Sequence, residues 1–243
     1  MYMQDYFWFL GAIFVCMIIS ALASARVRSA YAKYDKVRTR SNMTGYDAAR
    51  RIMYSKGVHG IGIGRVSGTL SDHYDPKRGI VNLSASTYDG NSVAAVSVAA
   101  HEMGHVLQRE NGYLFYKIRT ALVPIVNFGS RLSFPLVLIG LLLNLYVTVS
   151  DPDLGYKVAM IGVILYGGSM VFALVTLPVE LNASRRAKKL LLSDGILAES
   201  EMKGAEKVLS AAAFTYLASL LTSIVYFLRF LLYVMSMFGR RRR

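Results

Sequence analysis

Apolar stretches long enough to cross a lipid bilayer constrain this chain more than any other feature. Backbone amides in hydrocarbon must be bonded within their own segment, and a helix meets that need locally. Tyr6–Ala25 is uncharged and has about the 20-residue length that a membrane helix needs. Leu132–Val149, extendable back to Ala121, and Val158–Leu177 are two further spans, joined by the short acidic turn Ser150–Gly155. A fourth stretch, Ala211–Phe238, is longer than one crossing needs and carries Arg229, so a crossing, an interfacial helix and a bent hairpin all remain open for it. With 54% apolar residues among 243, the chain reads as a membrane protein with one modest polar domain. Ala21-Leu22-Ala23-Ser24-Ala25 resembles a signal-peptide cleavage site, but Gln4 and Asp5 stand where basic residues would precede one. The first span is therefore expected to be an uncleaved anchor.

Charge orients these spans. Lys and Arg crowd the segment from Arg26 to Arg119 and recur at Arg185, Arg186, Lys188 and Lys189, which by the positive-inside rule places them in the cytosol. The terminal run Arg240–Arg243 conflicts with four simple crossings, so either the last stretch is not a single crossing or the tail breaks the rule. The net charge of +13 lies beside apolar spans and comes with no nucleic-acid recognition motif, so anionic lipid headgroups are the expected partner and nucleic acid is not. The single cysteine, Cys16, falls in the first span and reads as apolar filler.

Within the polar region, His101-Glu102-Met103-Gly104-His105 is an HExxH sequence. Its flanks read as one helix, capped by Asn91-Ser92, running through the apolar residues 93–100 and stopped by Asn111-Gly112. Residues four apart share a helix face, so His101 and His105 can hold one metal ion while Glu102 stands beside it. Gly104 costs a helix interior about 1 kcal/mol relative to Ala, which calls for a packing reason such as close approach of the backbone that carries a further ligand.

A hydrolytic zinc site has three protein ligands and an open position for water. The third ligand must lie on the same side of the membrane, and two crossings after His105 return the chain there at Glu180. Glu180 follows Pro178, where a new helix is expected to start and its dipole to favour a carboxylate. Glu199, Glu201 and Glu206 compete for the role, but Lys203 and Lys207 beside them suggest a solvated face; His73 is a further rival by ligand type.

Several segments together carry a family resemblance: residues 43–50 (MTGYDAAR), 68–76 (GTLSDHYDP), Leu83-Ser84, 91–96 (NSVAAV), the HExxH helix, and 177–187 (LPVELNASRRA). The chain resembles the YugP-type family of bacterial neutral zinc metallopeptidases, membrane proteins with a gluzincin-like site. The Glu180 segment also resembles that of HtpX-type membrane proteases, whose third ligand is a glutamate after a pair of spans. The resemblance covers most of the polar part and the order of spans, and says little about the last stretch and the basic tail.

The expected fold is mainly α: three to four transmembrane helices plus a small α+β zincin-like domain carrying the HExxH helix. The expected segments are an anchor (1–25), the zincin-like domain (26–120), a transmembrane hairpin (121–178), a third-ligand helix (179–210) and a membrane-associated helix with basic tail (211–243). Gly79–Ser84 reads as a strand that pairs with Gly62–Val66 and either offers an edge to an extended substrate or only covers the zinc helix, Asp72–Gly79 as a turn, and Thr44–Asp47 as a capping box opening a helix that ends near Gly57. The glycines at 60, 62 and 64 lack the lysine and helix of a phosphate loop. One zinc ion per chain is expected on His101, His105 and Glu180, with Glu102 the base that activates its water. His73, Tyr74 and Arg185 are candidate transition-state stabilisers. The expected activity is cleavage of membrane-associated or unfolded polypeptides at the cytoplasmic face of a bacterial inner (plasma) membrane, with a membrane-protein partner or a second copy as further partners. The alternative is a noncatalytic zinc-stabilised membrane scaffold or chaperone.

Overall fold

A computed structural model describes residues 3–146 and 153–239. Part of the expected acidic turn at 150–155 and the basic tail at 240–243 fall outside the described residues. The elements are α1 (Met3–Tyr34), α2 (Gly45–Ser55), β1 (Gly62–Val66), β2 (His73–Asp75), β3 (Ile80–Ser84), α3 (Ala85–Tyr88), α4 (Val93–Glu110), α5 (Leu114–Tyr146), α6 (Leu154–Ser193) and α7 (Met202–Gly239), with a 3-10 turn at Glu199–Glu201. The protein is a mainly α membrane protein with a small α+β region. The helical segments Leu10–Tyr34, Leu114–Tyr146, Leu154–Ser193 and Glu199–Phe238 are each long and apolar enough to cross a bilayer. The residues divide into two compact units, one from Met1–Ser20, Ile118–Leu177 and Tyr216–Arg243, the other from Ala21–Lys117 and Pro178–Thr215.

In the first unit, α5 and α6 meet backbone to backbone. A Cβ on Gly140 would lie 2.4 Å from the Gly155 carbonyl oxygen, and one on Gly162 2.5 Å from that of Ser133, so glycine is what permits the contact. Arg229 borders a cavity of about 360 Å³ together with Ser133, Phe134, Tyr166 and Tyr226. Its guanidinium lies 5.6 Å from the centre of the Tyr233 ring, a cation–π contact that suits the one charge within the apolar stretch Ala211–Phe238.

The second unit contains the polar elements. Thr44 accepts a hydrogen bond from the Asp47 amide at 3.1 Å, while the Thr44 amide donates to Asp47 Oδ2 at 3.0 Å, so the capping box is present. β1 and β3 pair in parallel, from Gly62 opposite Ile80 to Val66 opposite Ser84. On its other side β3 pairs antiparallel with β2, His73 facing Asn82. His73–Asp75, expected as part of a turn, is thus a strand, and the turn begins at Asp75, whose Oδ1 accepts from the Lys77 and Arg78 amides. β3, expected to offer an edge, is central and paired on both sides; the sheet edges are β1 and β2. Val81 and Leu83 of β3 are buried with Ile52 of α2, Val96, Met103 and Val106 of α4, and Ala187 and Leu191 of the final part of α6.

Two helix expectations change. Pro178 does not begin a helix but lies inside α6, so the helix-dipole reason for a carboxylate at position 180 does not apply. A proline removes one amide donor, a defect that a long apolar helix tolerates; α5 likewise contains Pro124 and Pro135. The last apolar stretch is one continuous helix, α7, and not a bent hairpin.

The end of α6 is tied to the end of α2. Ser55 donates to Asp194 Oδ2, and Lys56 Nζ lies 3.1 Å from Asp194 Oδ1. Burial would raise the Asp194 pKa, but the hydrogen bonds from Ser55, Ser193 and Lys56 outweigh it and hold the carboxyl below its ordinary 3.8. Because the folded value is depressed, the stabilisation is complete above that ordinary value and fades as pH falls through the lower folded one. Asp194→Ala is expected to lower unfolding free energy by about 1.5–3 kcal/mol near neutral pH. Chemical denaturation of the detergent-solubilised protein should show the wild type and variant converging as the solution is acidified below the ordinary carboxylate range.

Candidate metal centre

Ser92 accepts the Ala95 amide at 3.1 Å and so caps α4, placing His101 and His105 one turn apart well inside the helix. Their rings lie 4.9 Å apart, centre to centre, at 85°. Between them stands Glu180 of α6, with Oε2 3.2 Å from His101 Nε2 and 3.4 Å from His105 Nε2. One donor atom from each of the three residues falls within a 4.8 Å cluster. Ligands held about 2.0–2.1 Å from a tetrahedral zinc lie roughly 3.3 Å from one another. Two imidazoles and a carboxylate fit zinc by chemistry, and the two histidine-to-glutamate separations fit it by spacing.

The approach of α6 to α4 explains Gly104. A Cβ there would lie 2.7 Å from the Ala183 carbonyl oxygen, on the helix that carries Glu180. Glu180 is only 1% exposed, and such a carboxylate is costly to bury without partners. The two imidazoles are those partners. Burial opposes protonation of His105, but the Glu180 carboxylate outweighs it and places the imidazole pKa above its ordinary 6.5.

Further groups hold these side chains from behind. Ser184 Oγ lies 3.2 Å from His101 Nδ1. Gln108 Oε1 lies 3.0 Å from His105 Nδ1, while Gln108 Nε2 donates to the Val179 carbonyl at 2.7 Å and to Asn182 Oδ1 at 3.0 Å. Arg186 Nε donates to the same Asn182 oxygen at 2.8 Å. The buried Tyr116 ring is centred 6.4 Å from that of His105. Gln108, Asn182, Ser184 and Tyr116 were absent from the expectations drawn from the sequence. The signal for two of them was helical spacing, since Gln108 follows His105 by three positions and Ser184 follows Glu180 by four.

Glu102 is 7% exposed, and among the described residues its carboxylate makes no hydrogen bond. The other expected residues lie further out. His73 places Nδ1 2.9 Å from the Ser71 carbonyl and Nε2 3.1 Å from Asn82, while the Tyr74 hydroxyl accepts from Arg109 Nη1 at 2.7 Å. Arg185 is exposed on α6. Of the rival carboxylates, Glu201 accepts the Arg40 and Ala198 amides, Glu206 pairs with Lys188 at 3.6 Å, and Glu199 opens the 3-10 turn.

Two histidines from one helix and a buried glutamate from another thus form a group that could hold a metal ion, in a membrane protein. Residues 9–235 match the family described as "Putative neutral zinc metallopeptidase", and the chain belongs to that family. It is 41% identical over 225 residues to "Putative membrane protease YugP" of Bacillus subtilis (strain 168), covering 90% of this chain and 96% of that protein. No solved structure matches.

Gly104→Ala separates two effects of opposite sign. Helix propensity alone would stabilise the protein by about 1 kcal/mol, whereas the clash with the Ala183 backbone is expected to cost about 1–3 kcal/mol. A lower melting temperature together with poorer zinc retention is the expected outcome. It is read by thermal unfolding and by metal analysis of the purified variant.

Proposed function

We propose that this protein is an integral membrane zinc endopeptidase that cleaves membrane-associated or unfolded polypeptides at the cytoplasmic face of a bacterial inner (plasma) membrane. The observation that carries the reading is the convergence of His101, His105 and Glu180 on one point, with Glu102, whose charge acts on His105, next to His101 in the chain. His101, His105 and Glu180 would hold one zinc ion per chain. When bound, zinc supplies a Lewis acid that polarises a peptide carbonyl and lowers the pKa of water towards about 7. Glu102 accepts a proton from the attacking water and returns one to the departing amine, a task that needs a carboxylate near the metal but not bound to it. A purely structural zinc site has no use for such a base, which weighs against the scaffold or chaperone alternative.

The carbonyl oxygen needs a donor as its charge develops. His73, Tyr74 and Arg185 are the candidates, and Tyr74 is coupled to the ligand helix through Arg109. An extended polypeptide would add to β1 or β2, the two sheet edges, through backbone hydrogen bonds. The cytoplasmic orientation rests on the lysines and arginines that flank the spans, which also suit anionic lipid headgroups.

Purified full-length protein in detergent should contain zinc and cleave a casein-type substrate. Glu102→Gln is expected to keep the zinc and lose cleavage by at least about 100-fold, and Glu180→Ala to lose the zinc. Retained zinc with undiminished cleavage in Glu102→Gln would remove the mechanism. Zinc bound by a wild type that cleaves nothing, with partner proteins still captured by Glu102→Gln, would favour the scaffold.

A further inference from the structure

The hydrogen bonds of Gln108 leave no freedom in how its side-chain amide is oriented. Its side chain is fully buried, at 0% exposure, and faces three partners. One end of the amide meets the Val179 carbonyl at 2.7 Å. A backbone carbonyl can only accept, so that end must be the NH₂ group. The other end, 3.0 Å from His105 Nδ1, is therefore the carbonyl oxygen, and it too can only accept. His105 Nδ1 must then carry the proton, which leaves the lone pair of the neutral ring on Nε2, the nitrogen that faces Glu180. An unambiguous acceptor on α6 thus fixes, through one amide, which nitrogen of a histidine on α4 is free to bind metal.

His101 has no equivalent. Its Nδ1 partner is the Ser184 hydroxyl, which can donate as well as accept, so this contact does not select a tautomer. The Asn182 oxygen that also receives Gln108 is held in turn by Arg186, so the amide is braced on both sides.

We propose that Gln108 is a positioning residue that holds His105 as an Nε2 ligand and, through Val179 and Asn182, locks α4 against the segment of α6 that carries Glu180. The proposal rests on the zinc-site reading above and adds a group that is neither ligand nor base. Removing such an outer-shell partner typically weakens metal affinity about 10–100-fold.

Zinc affinity of the full chain in detergent, measured by competition with a chelator, is compared for wild type, Gln108→Leu, Gln108→Glu and His105→Ala. Nitrogen-15 spectra of the four labelled histidines, recorded on the zinc-loaded protein, report directly which His105 nitrogen binds the metal and which carries the proton. Gln108→Leu is expected to weaken zinc binding about 10–100-fold and to give His105 a mixed tautomer. Gln108→Glu keeps an acceptor on Nδ1 and should recover the Nδ1-protonated form and part of the affinity. A merely structural Gln108 would instead lower thermal stability in both variants without moving the tautomer. Unchanged affinity with an unchanged His105 signal in a folded Gln108→Leu protein would overturn the proposal, as would a His105 that is Nε2-protonated in the wild type. Should Gln108→Leu not fold, Gln108→Glu and the wild-type tautomer still decide. Failure of the underlying reading looks different: the wild type would bind no zinc, or His105→Ala would bind it as well as the wild type, whatever Gln108 does.

Discussion

The contact on which the polar unit depends is the approach of α6 to α4 at Gly104, because it brings a carboxylate into an interior that would otherwise reject it. Glu180 is almost wholly buried, and an isolated ionised carboxylate there would be unfavourable by many kcal/mol. His101 and His105 make it tolerable by standing within 3.2 and 3.4 Å, which is also the separation expected of ligands that share a zinc ion. Packing, electrostatics and metal chemistry therefore set the same requirement. A side chain at position 104 would push away the Ala183 backbone and with it Glu180.

Around this contact the remaining polar elements act as supports. The central strand β3 and helix α2 bury the apolar face of α4, with Val81, Leu83, Ile52 and Met103 in one core, and so orient the histidine face towards α6. The segment from Asp72 to Pro76 closes the sheet. Asp72 accepts the Ser84 amide at 2.7 Å and its hydroxyl at 3.1 Å, and Arg109 on the ligand helix reaches Tyr74 and the Pro76 carbonyl. Residues that look catalytic by type in the sequence, His73 and Tyr74, are engaged in these local bonds. Gln108, an unremarkable glutamine by type, bridges α4 and α6.

Much of this was legible in the sequence, for identifiable reasons. Helical spacing and caps gave the HExxH helix, because i and i+4 positions share a face whatever the surroundings. The glycine at 104 implied a close backbone neighbour, which is Ala183, and the count of crossings singled out Glu180, which lies against His101 and His105. Where the reading went astray, tertiary context outweighed local signals. Pro178 looked like a helix start, yet α6 runs through it from the apolar span into the polar residues 179–189. His73–Asp75 looked like turn, yet the free side of β3 recruits it as a strand. Gln108 and Ser184 left only a spacing signal, since a buried amide or hydroxyl is recognisable as a brace only when its partner on another helix is known.

The central claim is that α4 and α6 together supply two imidazoles and one carboxylate to a single zinc ion. Zinc K-edge X-ray absorption of the purified full-length protein tests it most directly, with Glu180→Ala alongside. The account predicts zinc bound by two imidazole nitrogens and oxygen donors at about 2.0–2.1 Å, with that signal lost in the variant. A zinc environment lacking two imidazoles, or one that Glu180→Ala leaves unaltered, would contradict it.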